Sequence, residues 1–316
     1  MADEQRRLEV GAAVDIGSYS VHLLVAEVGS HELQAQHDES AHLGLGRAID
    51  EDGRLGSARA TLVDTLAGFA ARATSLGAQT LTIVATDPLR RATDARDALD
   101  DVRASTGLDI TILSHEEEAL LALVGAQEGR PVGRETLLID VGGGSTEILV
   151  AGPVEPAVAV GLPLGAARLT GEHIAHDPPS ELELIALYDD VHAAMALAPE
   201  SAADQLAAVG GTARSLLRVG SPLANRVLSL NRIHNALDLL AADPASTISE
   251  RHGVRLSRAR VLAAGATILV GALERYGLDR LRVASGGLRE GVVLATHRAG
   301  AAWRTELPAL ARGWED

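Results

Sequence analysis

At 316 residues, 47% hydrophobic and 2% aromatic, the chain is long enough for two domains with cores built from Ala, Leu, Val and Ile. It has no cysteine, and all 28 basic residues are arginine, which excludes disulfides, thiolate chemistry, lysine Schiff bases and a P-loop lysine. The net charge of −15 opposes nucleic-acid binding, and no basic leader or long apolar span marks export or a membrane anchor, so a cytoplasmic location is expected.

The first predicted element is a hairpin. Ala12–Ile16 is apolar around Asp15, Gly17 to Ser20 form a turn, and Val21–Val28 returns as a strand. Residues 33–42 add a third strand. Gly44-Leu-Gly46 opens a polar stretch to Gly53 that reads as a loop, because Ile49 stands where a dinucleotide fingerprint needs its third glycine. Leu62, Val63, Leu66, Phe69 and Ala70 give a helical stripe within 57–76, ended by Gly77. A buried strand over 81–85 leads into Thr86-Asp-Pro-Leu-Arg-Arg91, then a helix near 94–105 and a strand at 110–113.

Ser114-His-Glu-Glu-Glu118 starts the next helix. Ser114 and Glu117 have the spacing of a capping box, and Glu116 suits the positive helix end, so Glu118 alone has no capping duty. Residues 125–134 are the most linker-like segment and the expected domain boundary.

The stretch Leu137–Gly152 repeats the opening hairpin: strand, glycine turn, strand, with Asp140 before Gly142-Gly-Gly144 and Glu147 after it. Three glycines in a row cost chain entropy, which makes sense where several N–H groups must point at one anion. The reading is a phosphate cradle with an acid pair for a hydrated divalent cation, and the repeat implies two related α/β halves sharing a cleft. His173 and His176 read as a surface helix end rather than a metal pair. Further strand-to-glycine steps come at Gly210-Gly211-Thr212 and Ser285-Gly-Gly-Leu-Arg-Glu-Gly291, with one long helix over 257–276 between them.

With these residues in place the chain resembles the exopolyphosphatase/guanosine pentaphosphate phosphohydrolase (Ppx/GppA) family of the actin-like ATPase superfamily, from about residue 10 to 297. The resemblance is carried by Val14-Asp-Ile-Gly-Ser18, Ala85-Thr86, Leu89-Arg90, Glu117-Glu-Ala119, Ile139–Glu147, Val209–Thr212 and Ser285–Gly291. It implies an α/β fold of two actin-like (ribonuclease H-like) domains, mixed sheets flanked by helices, with the active site in the cleft between them. The expected domains are 1–130 and 131–316, the last helix packing back on the first. A family C-terminal helical domain is not expected at this length.

The resemblance also implies roles. Glu118 activates the attacking water and Arg90 grips the departing phosphate. Asp140 and Glu147 hold Mg2+, directly or through water. Gly17, Ser18, Tyr19, Gly143, Gly144, Ser145, Gly211 and Thr212 contact substrate. The implied reaction releases the terminal phosphate of inorganic polyphosphate, short chains favoured, or converts pppGpp to ppGpp, with a homodimer implied as well. The alternatives are an actin-like kinase and a phosphate or alarmone sensor without turnover. Five departures bear on that choice: Tyr19, Asp87-Pro88, Asp94, His115 and Leu120 replace residue types usual in the family.

Overall fold

The computed structural model describes residues 9–29, 32–154, 157–220 and 225–315. Contacts group the chain into two units, Met1–Pro131 with Gly286–Asp316, and Val132–Ser285. The first unit begins with β1 (Glu9–Ile16), β2 (Ser20–Val28) and β3 (Leu33–His42), followed by α1 (Leu45–Asp52) and α2 (Ala58–Ser75). It continues through β4 (Thr80–Ala85), α3 (Asp87–Arg91), α4 (Ala95–Thr106), β5 (Ile110–Ile112) and α5 (His115–Gln127).

The second unit opens with β6 (Thr136–Val141), β7 (Thr146–Ala151), β8 (Val158–Leu162), α6 (Ala166–His173) and α7 (Glu181–Met195). Next come β9 (Leu206–Val209), α8 (Gly210–Leu216), β10 (Val227–Ser229), α9 (Leu230–Ala242) and α10 (Ala245–His252). It closes with α11 (Leu256–Ala259), α12 (Leu262–Arg275) and β11 (Arg280–Val283). The chain then returns to the first unit as α13 (Leu288–Ala299) and α14 (Trp303–Leu310).

The first sheet has the order β3-β2-β1-β4-β5, and the second β10-β11-β9-β6-β7-β8. In each, a hairpin strand starts the unit, pairs antiparallel with its successor and parallel with a later strand. The two units thus repeat one topology, the second adding an antiparallel edge strand, β10. Alternation along the strands explains the layering. Ala12, Val14 and Ile16 of β1 pack with Leu62, Leu66 and Phe69 of α2 and Val102 of α4 on one face. α5 and α13 belong to the same unit and pack tightly together.

Three local expectations differ from the structure. Residues 45–52 form a helix rather than a loop: Gly44 starts it from a left-handed φ of 62°, and Leu45 and Ile49 are buried. The helix expected over 257–276 is broken into α11 and α12 around Val261, whose φ is −107°. Everything from Gly286 onward, not just the last helix, groups with the first unit. The cause is backbone-to-backbone packing of α13 on α5: a Cβ on Gly291 would lie 1.8 Å from the Leu121 carbonyl oxygen, and one on Gly125 2.0 Å from that of Gly287. Among the described residues no helix is long and apolar enough to cross a membrane.

Candidate functional site

In the first unit the turn between β1 and β2 is closed by the Gly17 amide donating to the Ser20 carbonyl at 3.2 Å. Ser18 is buried, and its hydroxyl donates to the Asp87 carboxylate at 2.8 Å while its carbonyl accepts from the Gly46 amide. That leaves the Ser18 amide, not the hydroxyl, for an anion. The Tyr19 ring rests on His42 of β3, with centroids 4.3 Å apart and planes at 55°. Ring packing against the protein's own strand therefore accounts for at least one face of Tyr19.

At the end of β4 the chain turns at once into α3. Pro88 lies in the first turn of this helix, where its missing N–H costs nothing, so the Asp87-Pro88 pair reads as a helix start. α3 carries two consecutive arginines with different partners. Arg91 reaches Asp50 of α1 at 2.8 Å and Asp87 at 3.3 Å, which ties the helix to its surroundings. Arg90 donates through Nη1 to the Leu113 carbonyl at 3.0 Å and to Glu118 Oε2 at 2.6 Å.

The three glutamates opening α5 divide as their spacing predicts. Ser114 and Glu117 form a complete capping box, Glu116 is exposed, and Glu118 is 6% exposed and paired with Arg90. Burial pushes the Glu117 carboxyl up, but hydrogen bonds from Arg304 and the Ser114 amide outweigh it and hold the group below the ordinary glutamate value. Burial, helped by the Arg90 charge and opposed by Asp87, lowers His115, which favours its neutral form. Leu120 belongs to the apolar interior. Asp94 is buried and accepts the Leu55 and Gly56 amides at 2.8 and 3.1 Å, so it fastens the loop between α1 and α2.

The second unit builds its turn the same way, with the Gly142 amide on the Ser145 carbonyl at 3.0 Å. The carbonyls of Gly142 and Gly143 are taken up by the amides of Ala166, Ala167 and Arg168 at the start of α6. Gly165 is needed for this seat, since a Cβ there would lie 2.2 Å from the Gly143 oxygen. Among the described residues the Gly143 and Gly144 amides donate to no protein acceptor, which suits an anion cradle.

Asp140 and Glu147 are direct partners across the β6–β7 ladder, so both carboxylates leave the same side of the sheet. Both are buried, Glu147 fully, and Ser145 Oγ donates to Glu147 Oε1 at 2.8 Å. Two like charges directly opposite one another repel. A hard divalent cation relieves that repulsion, and an all-oxygen pair of this kind fits Mg2+. Gly210, at a φ of 87°, brings the start of α8 against Asp140: a Cβ there would lie 2.8 Å from Oδ1.

The other members of that step are placed differently. Gly211 lies against the Arg258 guanidinium, and Thr212 is completely buried against Gly265 of α12. The Thr212 methyl packs there, while its hydroxyl is buried without a hydrogen-bond partner among the described residues. Arg258 and Asp87 escaped the sequence reading as site residues. The hydroxyl bond from Ser18 to Asp87 spans 69 positions and carries no local signal. Arg258 is a surface-type residue in sequence whose closeness to Gly211 appears only in the fold.

The pattern of the Ppx/GppA phosphatase family matches residues 24–298. A Mycobacterium tuberculosis protein named Exopolyphosphatase 1 is 31% identical over 298 residues, covering 89% of this chain and 86% of the relative. A Vibrio cholerae guanosine-5′-triphosphate,3′-diphosphate pyrophosphatase is 26% identical, covering 89% of this chain and 58% of that protein. The crystal structure of an Aquifex aeolicus member of the Ppx/GppA family superposes with a TM-score of 0.77 at 27% identity, over 92% of this chain and 98% of that one.

Proposed function

The chain belongs to the Ppx/GppA phosphatase family, and on that premise we propose that it hydrolyses the terminal phosphoanhydride of inorganic polyphosphate, short chains favoured, in the cytoplasm. The observation that carries this reading is the pairing of Arg90 with the buried carboxylate of Glu118. An arginine and a base held together at one helix start can grip a phosphoryl group and deprotonate water beside it.

In this reading the groups described above act on a phosphoanhydride. Arg90 turns part of its fork onto the terminal phosphoryl oxygens. Glu118 accepts the proton of the attacking water as the new P–O bond forms and the bridging P–O bond breaks. The Gly143 and Gly144 amides, with that of Ser18, hold the chain oxygens and keep the leaving phosphate in line. Mg2+ held by Asp140 and Glu147 would neutralise charge on the phosphate oxygens. His115 in neutral form adds no competing positive charge beside Arg90.

Hydrolysis of pppGpp is the neighbouring possibility for the same groups, and a sensor that binds without turnover is the alternative. What favours turnover over binding alone is that Asp94 and Leu120 are accounted for by loop fastening and core packing rather than by a disabled phosphate site. The test is phosphate release by the purified protein from short polyphosphate and from pppGpp with Mg2+. Wild-type protein should release phosphate, and Glu118→Gln should lose about 100-fold or more in kcat while polyphosphate affinity stays within a few-fold. Tight binding with no release from either substrate would establish the sensor reading instead.

A further inference from the structure

Two arginines grip the junction between β5 and α5, and only one of them belongs to the proposed site. Arg90 bridges the Leu113 carbonyl, at 3.0 Å, to the Glu118 carboxylate. Arg304, from α14, bridges the preceding carbonyl, Ile112 at 3.3 Å, to the preceding glutamate, Glu117. Its Nη2 lies 3.0 Å from Glu117 Oε2, and its Nε donates to Oε1, making the contact bidentate. Successive carbonyls and successive carboxylates are thus stapled by guanidinium groups from two distant parts of the chain.

The same C-terminal segment also holds the far end of α5. The Trp314 amide donates to the Gly129 carbonyl at 3.0 Å, and the indole lies so close over Gly129 that a Cβ there would meet it at 2.1 Å. Between these points Trp303, Leu307 and Leu310 are buried. The segment therefore clasps α5 from its capping box to just beyond its last turn.

We propose that Arg304 is a positioning residue for Glu118, which it holds through Glu117 while Arg90 is engaged with phosphate. The inference rests on the hydrolytic reading above. Before substrate arrives, both arginines fix the start of α5. When the Arg90 fork transfers part of its bonding to a phosphoryl group, one of the two staples slackens at the moment when Glu118 must be in place. Arg304 touches no proposed substrate group and is half exposed, so its contribution lies in the register of the first turn and not in binding.

The experiment compares wild type with Arg304→Ala and Arg304→Lys, reading steady-state kinetics on short polyphosphate and hydrogen exchange of the amides of residues 114–119. Arg304→Ala should lower kcat about three- to ten-fold with KM unchanged and speed exchange in that turn, because the cap keeps only its Ser114 partner. Lysine supplies one point charge in place of a fork, so Arg304→Lys should recover part of both losses. The emission of Trp303 and Trp314, the only two tryptophans, reports whether the clasp stays docked in the variants. Unchanged exchange, wild-type kcat despite faster exchange, or a loss confined to KM would each overturn the inference. A wild-type protein that releases no phosphate overturns the proposed function instead, and is recognised before any variant is compared.

Discussion

Asp94 replaces an asparagine common in the resembling family, and its surroundings make a charge-dependent prediction. Burial disfavours the carboxylate, but the Leu55 and Gly56 amides, with smaller help from Arg54, outweigh it and lower the pKa below the ordinary value. A depressed folded pKa means that the stabilisation is complete above the unfolded value of about 3.9 and drains as pH falls through the folded one. Asp94→Ala should cost roughly 1–3 kcal/mol at pH 7, because the buried Leu55 amide and the part-buried Gly56 amide lose a charged acceptor. Asp94→Asn should cost less, and its deficit against wild type should shrink between pH 5 and pH 3. Urea midpoints at the two pH values measure this; an equal deficit at both would show that the charge contributes nothing. Tyr19 is the contrasting case, since its ring packs on His42 while its backbone belongs to the first glycine turn.

The helices α5 and α13 meet backbone to backbone, and this makes their glycines unequal to glycines elsewhere. Gly291→Ala would force a Cβ against the Leu121 carbonyl, which no rotamer change relieves, and should destabilise by about 3 kcal/mol. Gly68, inside α2, has open space around its would-be Cβ, so Gly68→Ala should stabilise by roughly 0.5–1 kcal/mol through helix propensity. Thermal denaturation of the two variants checks both signs. If both shift the melting temperature equally, the close approach is not what those positions feel.

This contact also marks the limit of sequence reading. Period-2 and period-3.6 patterns exposed both hairpins, α2, α4 and the cap of α5, because each depends on neighbours within a few positions. α1 was hidden because its flanking glycines signal a turn, whereas its burial depends on Ile49 and Leu45 reaching a sheet made elsewhere. Arg90 and Glu118 lie 28 positions apart, and Arg304 and Glu117 lie 187 apart. Only the first pair could be reached from sequence, and then through family resemblance.

Over the whole molecule the charge of −15 opposes the approach of a polyanion before any local contact forms. Raising ionic strength should therefore speed polyphosphate association, with Mg2+ held saturating, until screening weakens the local Arg and amide contacts. Stopped-flow association at 20 and 150 mM salt reads this directly. A rate that falls steeply over that range would mean that local positive potential dominates the long-range field.

The packing of α5 sets a timetable for synthesis. The helix emerges from the ribosome with its first unit's sheet already made, but its partner α13 and the segment that clasps it follow only after residues 128–287 have been translated. At about 5–20 residues per second, that interval is on the order of ten to thirty seconds. During it the backbone at Leu121 and Gly125 has no covering helix, and the second unit is completed in between. The carboxylate assigned to water activation is thus secured among the last events of the chain's manufacture, so a nascent or interrupted product holds both glycine turns without a finished α5.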